Sequence, residues 1–158
     1  GFDAGVRYDE RLELDMIAVP LGPRSQRFIA VASPGYLKMH GTPPHPEDLL
    51  KHTCIRHRFL SGVMPTWEFE RQGVVVRVDP PSVMITNSLD ISRAAAVAGL
   101  GIMSSFSEFT ETEVASGALQ PVLEDWLPPF SGPFIYYPSR KHMPPPLRAF
   151  LDFIKAEK

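Results

Sequence analysis
The hydrophobic positions of this chain fall in short runs whose period changes repeatedly. Met16–Leu21 and Phe28–Ala32 are continuous apolar runs, the pattern of strands buried on both faces. Phe2–Arg7 alternates like a strand end, and a polar stretch, Tyr8–Glu13, follows it. Thr53–Arg58, Val83–Thr86, Leu119–Leu123 and Phe134–Tyr137 are further strand-like runs, and Ile102-Met103 begins another. Trp67–Glu70 alternates cleanly, and Gln72-Gly73 turns the chain into Val74–Val78, the signature of a hairpin. Helical periods lie between these runs. Ser33-Pro34 opens a short helix that ends at His40-Gly41, with Ser as cap and Pro at the first helical position. His45–His52 repeats the design: Pro early, acids in the first turn, Lys and His last. In Asn87-Ser88-Leu89-Asp90, Asn or Ser can cap the next helix. Its Ile91, Ala94, Ala95 and Ala98 are expected to form one buried face, with Gly99 as the left-handed residue after the last turn. Glu108–Ser116 is expected to be helical up to Gly117, and Leu147, Phe150, Leu151 and Ile154 define a terminal amphipathic helix. Gly22–Gln26 is expected to turn and Asp125–Gly132 to be a Pro-rich connection. Strands alternating with helices indicate an α/β architecture.

Composition narrows the classes. The 158 residues suffice for one ordinary domain or two small lobes. A formal net charge of −2, with Lys and Arg scattered, leaves no basic face for a phosphate backbone, so this segment alone is not expected to bind DNA. Cys54 is the single cysteine, which excludes an internal disulfide and is consistent with a reducing compartment. No apolar run approaches the ~20 residues needed to span a bilayer, and the opening residues are not expected to be a signal peptide. The chain opens on a strand-like segment without an initiator Met, as expected of a piece of a longer protein.

Gly99-x-Gly101 carries the first candidate chemistry. A phosphate-cradling glycine loop follows a strand and opens a helix, whose N-terminus supplies the N–H groups. Here the order is helix, glycines, strand, so the glycines close a helix. Its anion-attracting end lies upstream, at Asn87 and Ser88. The group His40, His45, His52, Cys54 and His57 lacks both a helical i, i+4 His pair and a C-x-x-C, so no zinc pattern is matched. The alternative places His40 and His52 at helix C-termini and Cys54 in the core. No G-x-S-x-G nucleophile elbow occurs, and Ser104-Ser105 have no His near them in sequence. Trp67 and Trp126 fit a core better than a stacking platform. Arg7 ends an otherwise apolar strand. In a parallel sheet that end faces the ligand crevice, where a guanidinium fork suits a carboxylate; a solvated surface arginine fits the position equally.

Taken in order, FDAGVR, DMIAVPLGP, IAVASPGYLKMHG, HPEDLLKHTCI, SGVMPTWEFERQG, ITNSLDISRAAAVAGLGI, SGALQPVLEDW and YYPSRKHMPPPLRAFLDFI closely resemble one family. It is the C-terminal effector-binding (substrate-binding) domain of LysR-type transcriptional regulators. The likeness is greatest to a large proteobacterial group carrying WEFER, VLEDW and YYPSR-type segments. It covers nearly the whole chain. Each segment alone is weak, but eight in one order are specific.

The resemblance implies a two-lobed, type 2 periplasmic-binding-protein-like α/β fold with Rossmann-like lobes, the N-terminal part of lobe I lying outside the chain. Residues 1–25 would be a lobe I remnant and crossover strand, 26–130 a complete lobe II, and 131–158 the return crossover strand and a lobe I helix. It further implies a small effector, often a carboxylate, held between lobes, which shifts how a tetramer bends promoter DNA. DNA would be contacted only through an N-terminal winged helix-turn-helix outside this chain. Homodimerisation, a cytoplasmic location and the absence of cofactor, metal, membrane association and catalytic residues are implied likewise. Carried over by position, the effector contacts would be Arg7, the Ser61-Gly62 loop, Asn87 and Ser88, and Ser104 and Ser105. The sequence departs from the group at Met103–Phe106, where a small residue, an aromatic and Leu-Pro are usual, and at Ser88-Leu89-Asp90, where Asp-x-Asp is common. An extracytoplasmic solute receptor of the same fold is the alternative, with an enzyme behind it. An upstream helix-turn-helix or signal peptide would separate the first two.

Overall fold
The computed structural model describes residues 3–8, 16–138 and 143–156. Phe2, most of the polar stretch after Tyr8, and Ser139-Arg140 of the YYPSR segment lie outside the described residues. The strands are β1 (Gly5–Arg7), β2 (Met16–Pro20), β3 (Ser25–Gln26), β4 (Phe28–Ala32), β5 (Cys54–His57), β6 (Trp67–Arg71), β7 (Val74–Val78), β8 (Ser82–Thr86), β9 (Ile102–Phe106), β10 (Gln120–Val122), β11 (Phe130–Ser131) and β12 (Phe134–Pro138). The α-helices are α1 (Pro34–His40), α2 (Leu89–Val97), α3 (Glu111–Ala115) and α4 (Pro145–Ala156). Two compact units emerge: residues 1–26 with 130–158, and residues 27–129.

The smaller unit is a three-stranded antiparallel sheet, ordered β1-β12-β2, with α4 packed on it. Ile135, Tyr137 and Leu151 form its core, joined by Val19 and Leu147. This corrects two expectations. β2 is half-buried, and Ile17 is 40% exposed, because α4 supplies apolar cover to one face. On α4, Leu151 and Ile154 face inward while Phe150 is 47% exposed. β3 and β11 pair with each other within segments expected to be a turn and a connection; strands of two residues leave no periodic signal.

The larger unit is a five-stranded mixed sheet, ordered β10-β4-β9-β5-β8. β5 runs parallel to both β8 and β9, β4 is antiparallel to β9, and β10 is antiparallel to β4. Alternation divides its central residues between two cores. Ile29, Val31, Ile55 and Met103 face Ala95 and Ala96 of α2. Ala30, Ala32, Cys54 and Ile102 face Tyr36 and Leu37 of α1, Leu49, and the hairpin residues Trp67, Phe69 and Val78. Cover on both faces is why Phe28–Ala32 reads as a continuous apolar run. Phe69, only 1% exposed, contributes about 1.5–3 kcal/mol through burial of its ring.

Two sequence segments acquire a physical explanation here. WEFER puts Trp67 and Phe69 inward and carries Arg71 to 4.4 Å over the ring of Trp126, the last residue of VLEDW. A cation–π contact thus clamps the β6–β7 hairpin to the 3₁₀ turn Glu124–Trp126.

The capping expectations hold for α1 and α2. Ser33 Oγ accepts from Tyr36 N–H at 3.2 Å, and Ser88 Oγ accepts from Ile91 N–H at 3.4 Å. Gly99 ends α2 at φ 83°; its N–H donates to Ala96 O and that of Leu100 to Ala95 O, a complete Schellman motif. The buried face of α2 is not the expected one. Ile91, Ala94 and Ala98 are exposed, and Ser92, Ala95 and Ala96 are buried. Small side chains let the helix lie close on the sheet, and Ser92 satisfies its hydroxyl by donating to Ser88 O at 3.1 Å. Pro46–Lys51 is a 3₁₀ segment rather than an α-helix, closed by i→i+3 bonds such as His52 N–H to Leu49 O.

Candidate functional site
One edge of the larger sheet gathers most of the polar residues singled out by sequence. It comprises the C-terminal ends of β5, β8 and β9, with the N-terminal end of β4. β8 delivers the chain directly into α2. Thr86 Oγ1 accepts from Ser88 N–H at 3.1 Å, and Ser88 then caps the helix, so its first turn stands at the end of the strand. Asn87, between them, is exposed. This helix end attracts negative charge through its dipole and open amides.

His57 pairs with Thr86 across the β5–β8 ladder. By alternation with Ile55 it lies on the α2 face. Its Nδ1 is buried without a hydrogen-bond partner, and its ring meets Phe59 edge-on at 5.3 Å. Beyond His57, Arg58 N–H donates to Thr86 O at 2.9 Å and extends the ladder. The chain then closes a tight loop, with Phe59 N–H to Val63 O at 2.9 Å and Gly62 N–H to Phe59 O at 2.8 Å. Ser61 and Gly62 are exposed at its tip, beside the exposed apolar side chains of Phe59, Leu60 and Val63. Arg56 fastens the base of this loop: its guanidinium donates to Pro65 O and Asp79 Oδ1, both at 2.9 Å.

Ser104 and Ser105 share this edge but point to opposite faces. Ser105, across from Ile29, is on the α2 face, buried, with its hydroxyl donating to Phe106 O at 3.0 Å. Ser104, across from Ala30, faces the other core on the side where Phe28 and Phe106 stack at 4.5 Å. So His57, Thr86 and Ser105 share the α2 face beside the Ser88 cap, with Asn87 exposed in the turn between Thr86 and Ser88, while Ser104 stands apart. Arg7 belongs to the smaller unit, exposed at the end of β1 opposite Phe134. The premise of a parallel sheet fails there, since β1 pairs antiparallel with β12. Sequence reasoning weighed His57 only as a metal ligand and passed over Thr86. The only signal was a polar residue ending a strand, which any edge residue shares.

Among the described residues, no three His, Cys, Asp or Glu side chains come together as a metal site. His40 stacks on Tyr36, His45 stands edge-on to Trp126, and Cys54 is fully buried. Burial pushes the Cys54 thiol up to about 12, against a smaller opposing pull from Arg56, so it is neither a ready nucleophile nor a ligand.

The two-unit α/β architecture is that of the regulatory domains of bacterial transcription factors, similar to type 2 periplasmic binding proteins. The regulatory domain of AphB from Vibrio vulnificus superposes with a TM-score of 0.79 at 27% identity, covering 99% of this chain and 76% of that one. The regulatory domain of CrgA, a LysR-type transcriptional regulator from Neisseria meningitidis, superposes at 0.67 with 30% identity, covering 98% and 74%. The model of the LysR substrate binding domain matches residues 1–158, and the chain belongs to that family. In sequence it is 39% identical to the HTH-type transcriptional regulator YcaN of Escherichia coli K12, across 98% of this chain and 50% of that protein. The HTH-type transcriptional regulator PgrR of the same organism is 32% identical over 98% of this chain and 52% of its own length. The chain thus spans about half the length of these relatives, which are named as regulators of transcription rather than as enzymes.

Proposed function
We propose that this chain is the effector-sensing domain of a LysR-type regulator, and that it binds a small carboxylate at the α2 N-terminus of its larger unit. The observation that carries the proposal is that Ser105 and the unpartnered His57 Nδ1 lie on the α2 face at the same strand ends where Ser88 caps α2, with Asn87 exposed just before the cap. An anion there gains from the helix dipole and from polar groups whose own partners are few. The Ser61-Gly62 loop and Ser104 are further proposed contacts, and Arg7 is one on the strength of the resemblance alone. Relatives named as transcriptional regulators favour this over a solute receptor of the same fold. The regulator would act in the cytoplasm and reach DNA through a segment outside this chain. Effector binding would work by population shift, stabilising one arrangement over another.

Calorimetry against a panel of small aliphatic and aromatic carboxylates tests this. Ser88→Asp keeps a good helix cap but places negative charge where the ligand's anion is proposed. Affinity for a carboxylate that binds wild type should fall roughly tenfold or more, with melting unchanged, as expected for like charges in contact. Equal affinity in the two proteins removes the anion from this position. Unchanged affinity in Arg7→Ala removes Arg7 from the contacts.

A further inference from the structure
At the opposite end of the larger sheet, the Tyr36 phenol meets the consecutive residues His52 and Thr53, and Thr53 in turn meets the α2–β9 turn. The Tyr36 hydroxyl of α1 lies 3.2 Å from His52 Nδ1 and accepts from Thr53 N–H at 3.0 Å. It also lies 3.2 Å from Thr53 Oγ1 and 3.4 Å from the Thr53 carbonyl oxygen. Thr53 Oγ1 donates to Leu100 O at 3.0 Å, and Thr53 O accepts from Ile102 N–H at 3.0 Å. Through this group α1 is tied to the start of β5 and, by way of Thr53, to the turn between α2 and β9.

Counting protons shows two states for the network. A phenol has one proton and two acceptor sites. Thr53 N–H occupies one acceptor site. With the Thr53 hydroxyl proton given to Leu100 O, the Tyr36 proton has three acceptors within reach: His52 Nδ1 and the carbonyl and hydroxyl oxygens of Thr53. While His52 is neutral and bare at Nδ1, Tyr36 donates to the imidazole. A proton added at Nδ1 reverses that contact: His52 must donate to Tyr36, and the Tyr36 proton turns to the Thr53 oxygens. No heavy atom need leave its place.

We propose that Tyr36, His52 and Thr53 form a proton-controlled latch, in which protonation of His52 re-routes the Tyr36 hydrogen to the Thr53 oxygens and alters the hold of α1 and β5 on the α2–β9 turn.

The surroundings suit such a switch. His52 is only 8% exposed. From α1, His40 stacks on Tyr36 at 4.5 Å. From the 3₁₀ segment, Asp48 acts on it, paired with the exposed Lys51 at 2.8 Å. From β5 comes Cys54, neutral because burial pushes its thiol to about 12. Val97–Ser104, which spans the turn and its flanking residues of α2 and β9, contains no titratable side chain. Burial holds the His52 pKa below the ordinary 6.5; His40 acts in the same direction and Asp48 opposes. On acidification the folded chain therefore takes up this proton later than the unfolded chain. The stabilisation is full above 6.5 and is lost as pH falls from there through the folded value.

Long-range ¹⁵N–¹H spectra of the histidines in the wild-type chain, from about pH 8 to about pH 5, read the switch directly. His52 should be the Nε2–H tautomer at the alkaline end and titrate with a midpoint below 6.5. An Nδ1–H tautomer there, or a midpoint at or above 6.5, overturns the latch. Melting curves over the same range give an independent reading. Wild type should lose Tm on acidification, and His52→Asn, which keeps a polar group near the Nδ1 position but does not titrate, should lose less. The same pH slope in both proteins overturns it as well. Should His52→Asn fail to fold, the wild-type spectra decide.

Discussion
Gly101 shows how a single residue can be fixed by a contact remote in sequence. A Cβ there would collide with the Thr53 carbonyl, whose carbon stands 2.9 Å from that position. Gly101→Ala therefore has to displace backbone that also accepts from Ile102 N–H. We expect a loss of about 1–3 kcal/mol in urea unfolding with an unchanged m-value, the cost typical of overpacking. A loss within error would mean the seam is looser than described. The partner glycine, Gly99, was legible in the sequence because a helix end needs a left-handed residue and local pattern locates helix ends. The role of Gly101 was not, because its steric partner lies on another strand. The same distinction separates Ser88, whose cap follows from neighbouring residues, from His57, whose significance depends on which atoms surround its Nδ1.

Among the elements, α2 joins stability to the candidate site. Its cap rests on one serine, with Thr86 holding the preceding turn. Ser88→Ala should cost about 1 kcal/mol in thermal or urea unfolding, whereas Ser88→Asp should cost almost nothing. Equal losses in both would show that the hydroxyl serves something other than the cap. The period of α2 was legible and its rotation was not. A helix with Ile91, Ala94, Ala95, Ala96 and Ala98 offers more than one apolar stripe, and only the fit against β5 and β9 selects Ser92, Ala95 and Ala96. The 3₁₀ form of Pro46–Lys51 had the same origin: caps and charges announce a helix but do not set its pitch.

For the whole molecule, the sheet order leaves β8 as an edge strand with Val83 53% and Ile85 42% exposed. Ile91 on the following helix is 53% exposed. Apolar side chains along an edge that is unpaired among the described residues invite association, in keeping with the homodimer that the resemblance implies. Sedimentation across a concentration series should show reversible self-association in wild type, shifted toward monomer by Ile85→Lys. A wild type that stays monomeric throughout, or an unaltered Ile85→Lys, counts against this surface.

By itself the sequence determined the α/β class, the caps of α1 and α2, the hairpin, the family and the core position of the lone cysteine. These depend on residues close together along the chain or on the order of segments. Tertiary structure alone decided which stripe of α2 is buried, that the sheet carrying Arg7 is antiparallel, that Ser104 and Ser105 face opposite ways, and that WEFER meets VLEDW through Arg71 and Trp126. Each of these depends on strand pairing and close packing between distant segments, which local periodicity does not encode.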